Sequence, residues 1–401
     1  MSSEWTRTTW GEVATLEYGK ALRDYQNIAE GFPVYGTNGP IGFHDTALCK
    51  TPGVVIGRKG AYRGVHYSSR PFFVIDTAFY LKPKAEIDMR WAYYALLTCD
   101  INNMDSGSAI PSTSRDEFYK LPVFVPPLAQ QVLIAEFLAK FDDRITLLRE
   151  TNTTLESIAQ ALFKSWFVDF DPVDAKMQGR APEGMGEATA ALFPDSFEES
   201  EFGSVPKGWQ VKSLDSVASF LNGLALQKFP PTGDNDLPVI KIAQLRKGDT
   251  VGADLASRSI KPEYVIQNGD VIFSWSGSLE VEIWCGGEGA LNQHLFKVTS
   301  DVFPKWFYFL WTRHHLEYFR QVAASKATTM GHIQRAHLTD AKVFVPGEEV
   351  LHAANIVLAP IMQRVIENSL QAYNLAAVRN TLLPRLISGQ LQIDEVTKAL
   401  L

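Results

Sequence analysis

Residues 123–166 read VFVPPLAQQVLIAEFLAKFDDRITLLRETNTTLESIAQALFKSW, a short β-like run followed by a long helical pattern. Between Ile134 and Trp166 the seam residues recur at alternating intervals of four and three, and Asn152 is the one polar residue among them. Such a heptad seam predicts a coiled-coil helix, and at 1.5 Å per residue it extends for about 48 Å. This length is typical of a rod rather than of an average helix in a globular core.

The same arrangement occurs a second time in the chain. The run at 123–126 recurs as VFVP at 343–346, and a second seam follows it at an offset of 220 residues. Two further matches occur in order, Trp5 and Val13-Ala14 with Trp209 and Val217-Ala218, and Val54-Val55-Ile56 before Gly60 with Val271-Ile272-Phe273 before Gly277. Ordered matches of this kind predict one unit of about 200 residues used twice.

Two helices with apolar seams most simply pack on each other. If the two halves are alike, this predicts two antiparallel coiled-coil helices that separate two globular modules, with approximate two-fold symmetry. Asn152 and Asn368 either fix the register of the seam or tilt to solvent. Pro360 is expected near the start of the second helix, and Pro384 is expected to kink or end it. The predicted seam residues are Leu138, Phe141, Ile145, Leu148, Asn152, Leu155, Leu162, Leu358, Ile361, Val365, Asn368, Leu375 and Leu382.

Each module combines short β-like runs, separated by glycine-rich turns, with one aromatic helix. The aromatic helices are expected at 90–97 and 305–319, and the second is interpreted as a buried helix covering a sheet rather than as a membrane or cofactor surface. The fold class is therefore α/β, of the mixed α+β kind. The expected divisions are a first module (1–128), a coiled-coil helix (129–168), an acidic linker of turns and extended chain (169–205), a second module (206–346), a second coiled-coil helix (347–389) and a tail (390–401).

The composition is that of an ordinary globular chain, with 401 residues, 46% of them hydrophobic, and a formal net charge of −7. The three cysteines form no CxxC pair, which disfavours a disulfide framework or a zinc site and fits a reducing cytosol. The sequence has neither a signal peptide pattern nor a long uncharged apolar run. A cytoplasmic protein without a transmembrane helix is therefore expected.

The negative charge is concentrated in one segment. Residues 169–203 contain nine acidic and two basic residues, which accounts for the whole net charge of −7, whereas residues 46–75 carry five Lys or Arg and no acid. Basic loops rich in glycine and serine can approach phosphates through N–H groups and reach base edges through Arg or Lys; a solvated basic loop is the alternative. The candidate DNA-contacting residues are Arg58, Lys59, Tyr62, Arg63, Ser106, Ser108, Ser112, Arg115, Ser274, Ser276, Lys326, Thr328 and Arg335.

The sequence contains no convincing reaction centre. It has no P-loop, no GxGxxG after a strand and no Asn/Asp-Pro-Pro-aromatic tetrapeptide of the kind found in amino-methyltransferases. The FPD at 193–195 lies in the acidic linker and lacks the lysine of a nuclease site, and the adjacent His314 and His315 point in different directions on a helix. We therefore expect no catalytic or metal-ligating residues and no cofactor bound by this chain.

Several ordered fragments together are specific. They are PVYGTNGPIG (33–42) with VVIGR (54–58), SGS (106–108) with Pro111, LPV (121–123) and PP (126–127) with QQ (130–131), LFKSWFVDF (162–170), FGSVPKGW (202–209) and LLPRLISG (382–389). On these fragments the chain resembles the DNA-specificity subunit of type I restriction–modification systems over nearly its whole length.

The resemblance implies that modules 1–128 and 206–346 are target-recognition domains, each reading half of a split site in double-stranded DNA. The helices would set the spacer and dock two methyltransferase subunits and two restriction/translocase subunits. S-adenosylmethionine, ATP and magnesium would belong to those partners, and the assembled complex would be a site-specific deoxyribonuclease and adenine-N6 DNA methyltransferase. The second copy departs from the pattern, because KATTM at 326–330 stands where the first copy has Gly-Ser-x-x-Pro.

Three other functions stay open at this point. The chain could be a self-contained nuclease or methyltransferase, for which no reaction centre is visible. It could be a coiled-coil scaffold that binds DNA without sequence preference. It could also be the specificity subunit of a related system in which one partner chain carries both the methylase and the nuclease.

Overall fold

A computed structural model gives the structure of the chain and describes residues 5–60, 62–104, 110–325 and 331–393. The chain divides into two compact units. Unit 1 comprises residues 1–144 together with 375–401, and unit 2 comprises residues 145–374. Each of the two long helices contributes one segment to each unit, so unit 1 is assembled from two separate stretches of chain.

Short strands and helices make up the described part of unit 1. Its strands are β1 Thr6–Thr9, β2 Ala14–Tyr18, β3 Phe32–Gly36, β4 Gly39–His44, β5 Gly53–Gly57, β6 Val65–Ser68, β7 Phe73–Val74, β8 Ala78–Pro83 and β9 Pro122–Val125. Its helices are α1 Trp10–Val13, α2 Met89–Leu97, α3 Arg115–Lys120 and the first part of α4 Leu128–Phe167, with a 3-10 turn at Ile101–Asn103.

Short strands and helices also make up the described part of unit 2. Its strands are β10 Phe197–Ser200, β11 Gly203–Pro206, β12 Gln210–Ser213, β13 Ser219–Asn222, β14 Leu237–Ile240, β15 Leu255–Ala256, β16 Val265–Ile266, β17 Val271–Ser274, β18 Val281–Ile283, β19 Gly289–Leu291, β20 Leu295–Thr299 and β21 Lys342–Val345. Its helices are α5 Asp171–Met177, α6 Glu187–Leu192, α7 Leu214–Val217, α8 Ile242–Lys247, α9 Lys305–His314, α10 Leu316–Ser325, α11 Arg335–Asp340 and the first part of α12 Glu348–Ile387, with 3-10 turns at Leu226–Lys228 and Pro262–Tyr264.

The order of the strands repeats between the units. Unit 1 has a four-stranded sheet in the order β2-β8-β5-β6, and unit 2 has one in the order β13-β20-β17-β18. A smaller sheet accompanies each of them, and it contains one parallel pair, β3 with β7 in unit 1 and β14 with β19 in unit 2. Strands β1 and β9 pair antiparallel, as β12 and β21 do. The mixed α/β fold and the internal repeat are thus confirmed.

One aromatic helix lies in the core of each unit. Trp91 and Tyr94 of α2 are fully buried, and the side chains of α9 from Trp306 to Thr312 are all buried. The interpretation of the second aromatic helix as part of a core is therefore confirmed. Its predicted extent of 305–319 is wrong, because α9 ends at His314 and α10 begins at Leu316. The residue between them, His315, has Nε2 2.8 Å from the carbonyl oxygen of Lys342, which fixes the break.

The two long helices pack against each other within each unit. In unit 1 Arg379 of α12 forms an ion pair with Asp142 of α4, and in unit 2 Asn368 of α12 contacts Asn152 of α4. Since the residue numbers rise along one helix as they fall along the other, the pairing is antiparallel. Every predicted seam residue is buried or half-buried.

Asn152 and Asn368 form a polar pair inside this apolar seam. They are 9% and 7% exposed, so neither tilts to solvent. Asn368 donates from Nδ2 to Oδ1 of Asn152, and Asn152 donates from Nδ2 to the carbonyl oxygen of Val365 and to Oγ of Ser369, each over 2.9 Å. A buried amide without partners is costly, so these bonds favour the register-fixing interpretation of the two asparagines.

The expectation for Pro360 is wrong, and the expectation that Pro384 kinks or ends the second helix is answered only for its end. Helix α12 begins at Glu348 and ends at Ile387, so Pro360 lies well inside it and Pro384 does not end it there. Both prolines are exposed. A proline removes one helical N–H bond and crowds the preceding turn, and packing of the buried seam holds this helix together despite that loss.

The acidic segment contains more structure than turns and extended chain. It includes α5, α6 and the antiparallel hairpin β10–β11. Phe170, Val173, Phe193 and Val205 are buried in the main core of unit 2. The helices span seven and six residues, and their periodicity is too short to stand out in the sequence.

No helix in the described residues combines the length and hydropathy that a membrane crossing requires.

Candidate nucleic-acid interface

Two loops of unit 1 meet beside the four-stranded sheet. One follows β5 and the other precedes α3. Lys59 and Ser112 form a backbone bridge between them. On either side of it, the Thr113 N–H donates to the Arg58 carbonyl and the Gly60 N–H donates to the Pro111 carbonyl, both over 2.9 Å. Residues that are far apart in the sequence thereby share one surface.

That surface is an open cleft of about 820 Å³. Four of the predicted DNA-contacting residues line it, namely Arg58, Lys59, Ser112 and Arg115. Tyr18, the last residue of β2, also lines the cleft and was not predicted. The sequence therefore identified the cationic residues of the cleft but not the aromatic residues that line it, Tyr18, Phe79 and Tyr119.

Aromatic rings orient the two arginines of this cleft. The guanidinium carbon of Arg58 lies 4.8 Å from the centre of the Tyr18 ring, and that of Arg115 lies 5.2 Å from the same ring. Arg58 also donates from Nη1 to the carbonyl oxygen of Asp76 over 2.8 Å. Cation–π stacking fixes the plane of a guanidinium and leaves N–H groups at its edge for other acceptors.

The cleft keeps its positive charge. None of Arg58, Lys59 and Arg115 takes part in the ion pairs formed by the described residues of unit 1. The pKa of Arg115 is raised, first by its hydrogen bond with Tyr119 and then by that with Tyr18. A cleft that presents unneutralised cations suits a polyanion such as the DNA backbone.

Arg63 is a correction to the predicted set. Its side chain is 2% exposed, and its guanidinium donates to the carbonyl oxygens of Gly60, Ile101 and Asn102. A cation buried in this way holds the loop together and does not reach a ligand. The neighbouring Tyr62 is 79% exposed, so the same loop does present one predicted residue to solvent.

Unit 2 repeats the bridge between the two loops with other residues. Ser276 and His332 form the backbone bridge. The Ile333 N–H donates to the Trp275 carbonyl over 3.0 Å, and the Gly277 N–H donates to the Gly331 carbonyl over 2.9 Å. The loop geometry is thus kept while the side chains have changed.

Ser274 and Ser276 are further corrections. Ser274 is fully buried, and its Oγ donates to the Ser278 carbonyl and accepts from the Glu280 N–H. Ser276 is 3% exposed, with Oγ 2.9 Å from Nδ1 of His294. Both hydroxyls stabilise the loop internally, so neither is available to a ligand.

Aromatic and amide side chains occupy this edge of unit 2 instead. The ring of Trp275 lies 5.9 Å from that of His294 and 6.3 Å from that of His332. Its indole N–H donates to Oδ1 of Asn222 over 3.0 Å. Sequence reasoning missed Trp275, His294 and Asn222, because uncharged residues leave no mark in a charge profile. The repeat was the signal that could have found them.

Arg335 is the one predicted residue of unit 2 that the described structure leaves exposed. Its guanidinium carbon lies 5.6 Å from the centre of the Phe296 ring, and Nη2 donates to the Phe220 carbonyl over 3.0 Å. Ser106, Ser108, Lys326 and Thr328 lie outside the described residues.

These observations define a class of protein. Two α/β modules of one fold are built with a long antiparallel helix pair, and each presents the same bridged pair of loops with unlike side chains. A family model for the type I restriction modification DNA specificity domain matches residues 2–157 and 206–373. The chain belongs to this family, and the resemblance found in the sequence is confirmed.

Individual relatives agree with the family. The chain is 24% identical over 328 residues to the type I restriction enzyme MjaIX specificity subunit of Methanocaldococcus jannaschii, covering 78% of this chain and 72% of that protein. It is 24% identical over 380 residues to the HindI specificity subunit of Haemophilus influenzae, covering 80% and 81%. The crystal structure of a type I restriction–modification S subunit from M. genitalium has the same fold, with a TM-score of 0.55, 15% identity and 96% coverage of both chains.

Proposed function

We propose that this chain recognises a bipartite site in double-stranded DNA, with one half-site read by each unit. The observation that carries the proposal is the repeated loop bridge, formed by Lys59 with Ser112 in unit 1 and by Ser276 with His332 in unit 2. It keeps the backbone geometry of the two loops constant and varies their side chains. A protein built in this way reads two unlike half-sites, since base identity is read by side chains in the grooves.

We further propose that the long helices dock two methyltransferase subunits and, through the assembled complex, two restriction/translocase subunits. Leu147 and Ile158 of α4 are 51% and 44% exposed. They are eleven residues apart, which is close to three helical turns and places them on one face. Exposed apolar residues aligned on one helix face are typical of a surface that another protein covers.

The chemistry of the complex would then belong to its partners. We propose that S-adenosylmethionine, ATP and magnesium bind the methyltransferase and restriction subunits, and that this chain supplies recognition and not catalysis. The complex as a whole would act as a type I deoxyribonuclease and adenine-N6 methyltransferase. Cytoplasm is the compartment in which such a complex meets cellular DNA.

Single-molecule sequencing of adenine methylation tests this function. The chain is expressed together with its methyltransferase in cells that lack other adenine methylation. The expected result is one motif made of two unlike half-sites separated by a spacer of fixed length. Methylation without any motif would favour a scaffold that lacks DNA readout, and methylation by the purified chain alone would favour a self-contained enzyme. A fused methylase–nuclease partner in the purified complex would point to the related system.

A further inference from the structure

The loop bridges allow the two units to be compared residue by residue. Because the same backbone bonds flank both bridges, Arg58 corresponds to Trp275 and Lys59 to Ser276. The sheet supplies another correspondence. Tyr18 of β2 faces Phe79 of β8, and Asn222 of β13 faces Phe296 of β20 in the equivalent register. Three of these equivalent positions carry different side chains in the two units: Tyr18 corresponds to Asn222, Arg58 to Trp275 and Lys59 to Ser276.

One cation at this edge is retained in both units. Arg115 is the first residue of α3, and Arg335 is the first residue of α11, at the offset of 220 that also relates the VFVP runs. Each guanidinium is stacked on an aromatic ring of the neighbouring sheet, Arg115 on Tyr18 at 5.2 Å and Arg335 on Phe296 at 5.6 Å. The ring has changed between the units, but the stacked arginine has not.

Residues that are the same in both units and residues that differ between them are expected to make different contacts with DNA. The sugar–phosphate backbone is chemically the same at every step, so a residue that binds phosphate can stay constant between two modules. Base edges differ from one sequence to another, so a residue that reads them has to differ when the half-sites differ. A comparison of equivalent residues in the two units therefore distinguishes phosphate contacts from base contacts.

Resting on the proposed function, we propose that the two retained arginines bind DNA phosphates and that the exchanged positions select the bases. The selecting residues are Tyr18, Arg58 and Lys59 in unit 1 and Asn222, Trp275 and His332 in unit 2. Unit 1 then reads bases mainly with cationic donors, of which arginine and lysine favour guanine O6 and N7. Unit 2 reads bases with amide, indole and imidazole groups instead, and the salt dependence of binding comes in both units from the phosphate-binding arginine.

Two measurements on the complex of this chain with its methyltransferase test the proposal. Methylated motifs are sequenced from cells, and affinities are measured for a duplex that carries the motif and for a scrambled duplex between 50 and 200 mM salt. Arg115→Gln and Arg335→Gln should each weaken binding to both duplexes by about tenfold. Each should also lower the slope of log affinity against log salt by about 0.9, and the motif should not change.

The exchanged positions should behave in the opposite way. Arg58→Gln should alter one half of the methylated motif and Asn222→Ala the other half; Asn222 is exposed, so its replacement leaves the fold intact. Arg7→Gln, which replaces an exposed arginine on β1 outside the cleft, is the matched control. The inference is overturned if either retained arginine changes the motif, or if both exchanged positions leave it unaltered. A wild-type complex without any motif would refute the proposed function itself.

Discussion

The asparagine pair in the helix seam gives a prediction whose size follows from the hydrogen bonds. Asn152→Leu removes all three bonds of the pair and leaves the Asn368 amide buried without a partner. A net bond contributes about 1 kcal/mol, an orphaned buried amide costs about 1–3 kcal/mol, and the new leucine returns about 1–2 kcal/mol. We expect a net loss of about 3 kcal/mol.

Replacing the other asparagine of the pair should lower the stability less. Asn368→Leu removes one bond, and Asn152 keeps Nδ2 bonded to Val365 and Ser369. The expected loss is about 1–2 kcal/mol. In the double variant no asparagine amide is left unpaired, and Ser369 still donates to the Val365 carbonyl over 2.8 Å. Its stability should return to within about 1 kcal/mol of the wild type, because replacing both partners with apolar groups is nearly neutral.

Urea unfolding followed by circular dichroism measures these differences for the three variants and the wild type. If the double variant loses as much free energy of unfolding as the two single variants together, the two asparagines do not interact, and the pairing is refuted. The methylated motif is a second readout. If the pair fixes the register, the stable double variant should methylate sites with more than one spacer length, whereas the wild type keeps one.

Other parts of the molecule give predictions that need only one comparison each. Arg63→Met should lower the free energy of unfolding by about 3 kcal/mol because the carbonyl groups of three residues lose the donor that the buried guanidinium supplies. Thermal unfolding beside the exposed control Arg7→Met checks it. Burial raises the pKa of Glu282 from 4.5 to about 7. Its contribution to stability is therefore complete below pH 4.5 and is lost as the pH rises through 7, so Glu282→Gln should raise Tm at pH 8 and leave it unchanged at pH 4. Leu147→Glu should weaken co-purification of the methyltransferase by at least tenfold, while the exposed neighbour Glu150→Gln should not; equal retention of the partner would place the docking surface elsewhere. Deleting two heptads from both long helices should shorten the spacer in the methylated motif and leave both half-sites as they are; an unchanged spacer would show that the helices do not set it.

The sequence predicted the features that depend on regular spacing. The seam from Leu138 to Leu162 was visible because heptad spacing is a property of the chain itself. The length of the first long helix and the existence of a second one followed from the same spacing. The short helices of the acidic segment were missed because six or seven residues give too little periodicity. Pro360 was wrongly expected near the start of the second helix because packing outweighed a local preference.

The cleft was predictable only in part. Arg58, Lys59 and Arg115 stood out because charge is readable along the chain. Arg63 has the same charge in the same run, and only the folded loop shows that backbone carbonyls surround it. Trp275 was missed for the opposite reason, since it contributes no charge. Had each residue of the first loop been aligned with its counterpart at the local offset, Trp275 would have appeared at the place of Arg58.

The discontinuous make-up of unit 1 has a consequence for the time at which it can fold. Its core includes Leu383, Leu386 and Ile387, which pack with Ile134 and Leu138 from the first long helix. A ribosome synthesises these residues only after it has synthesised the whole of unit 2. Unit 1, although it is made first, therefore completes its core last. Until the C-terminal segment of the second long helix is synthesised, part of the apolar core of unit 1 stays uncovered. This uncovered surface is where we expect a chaperone to bind the nascent chain.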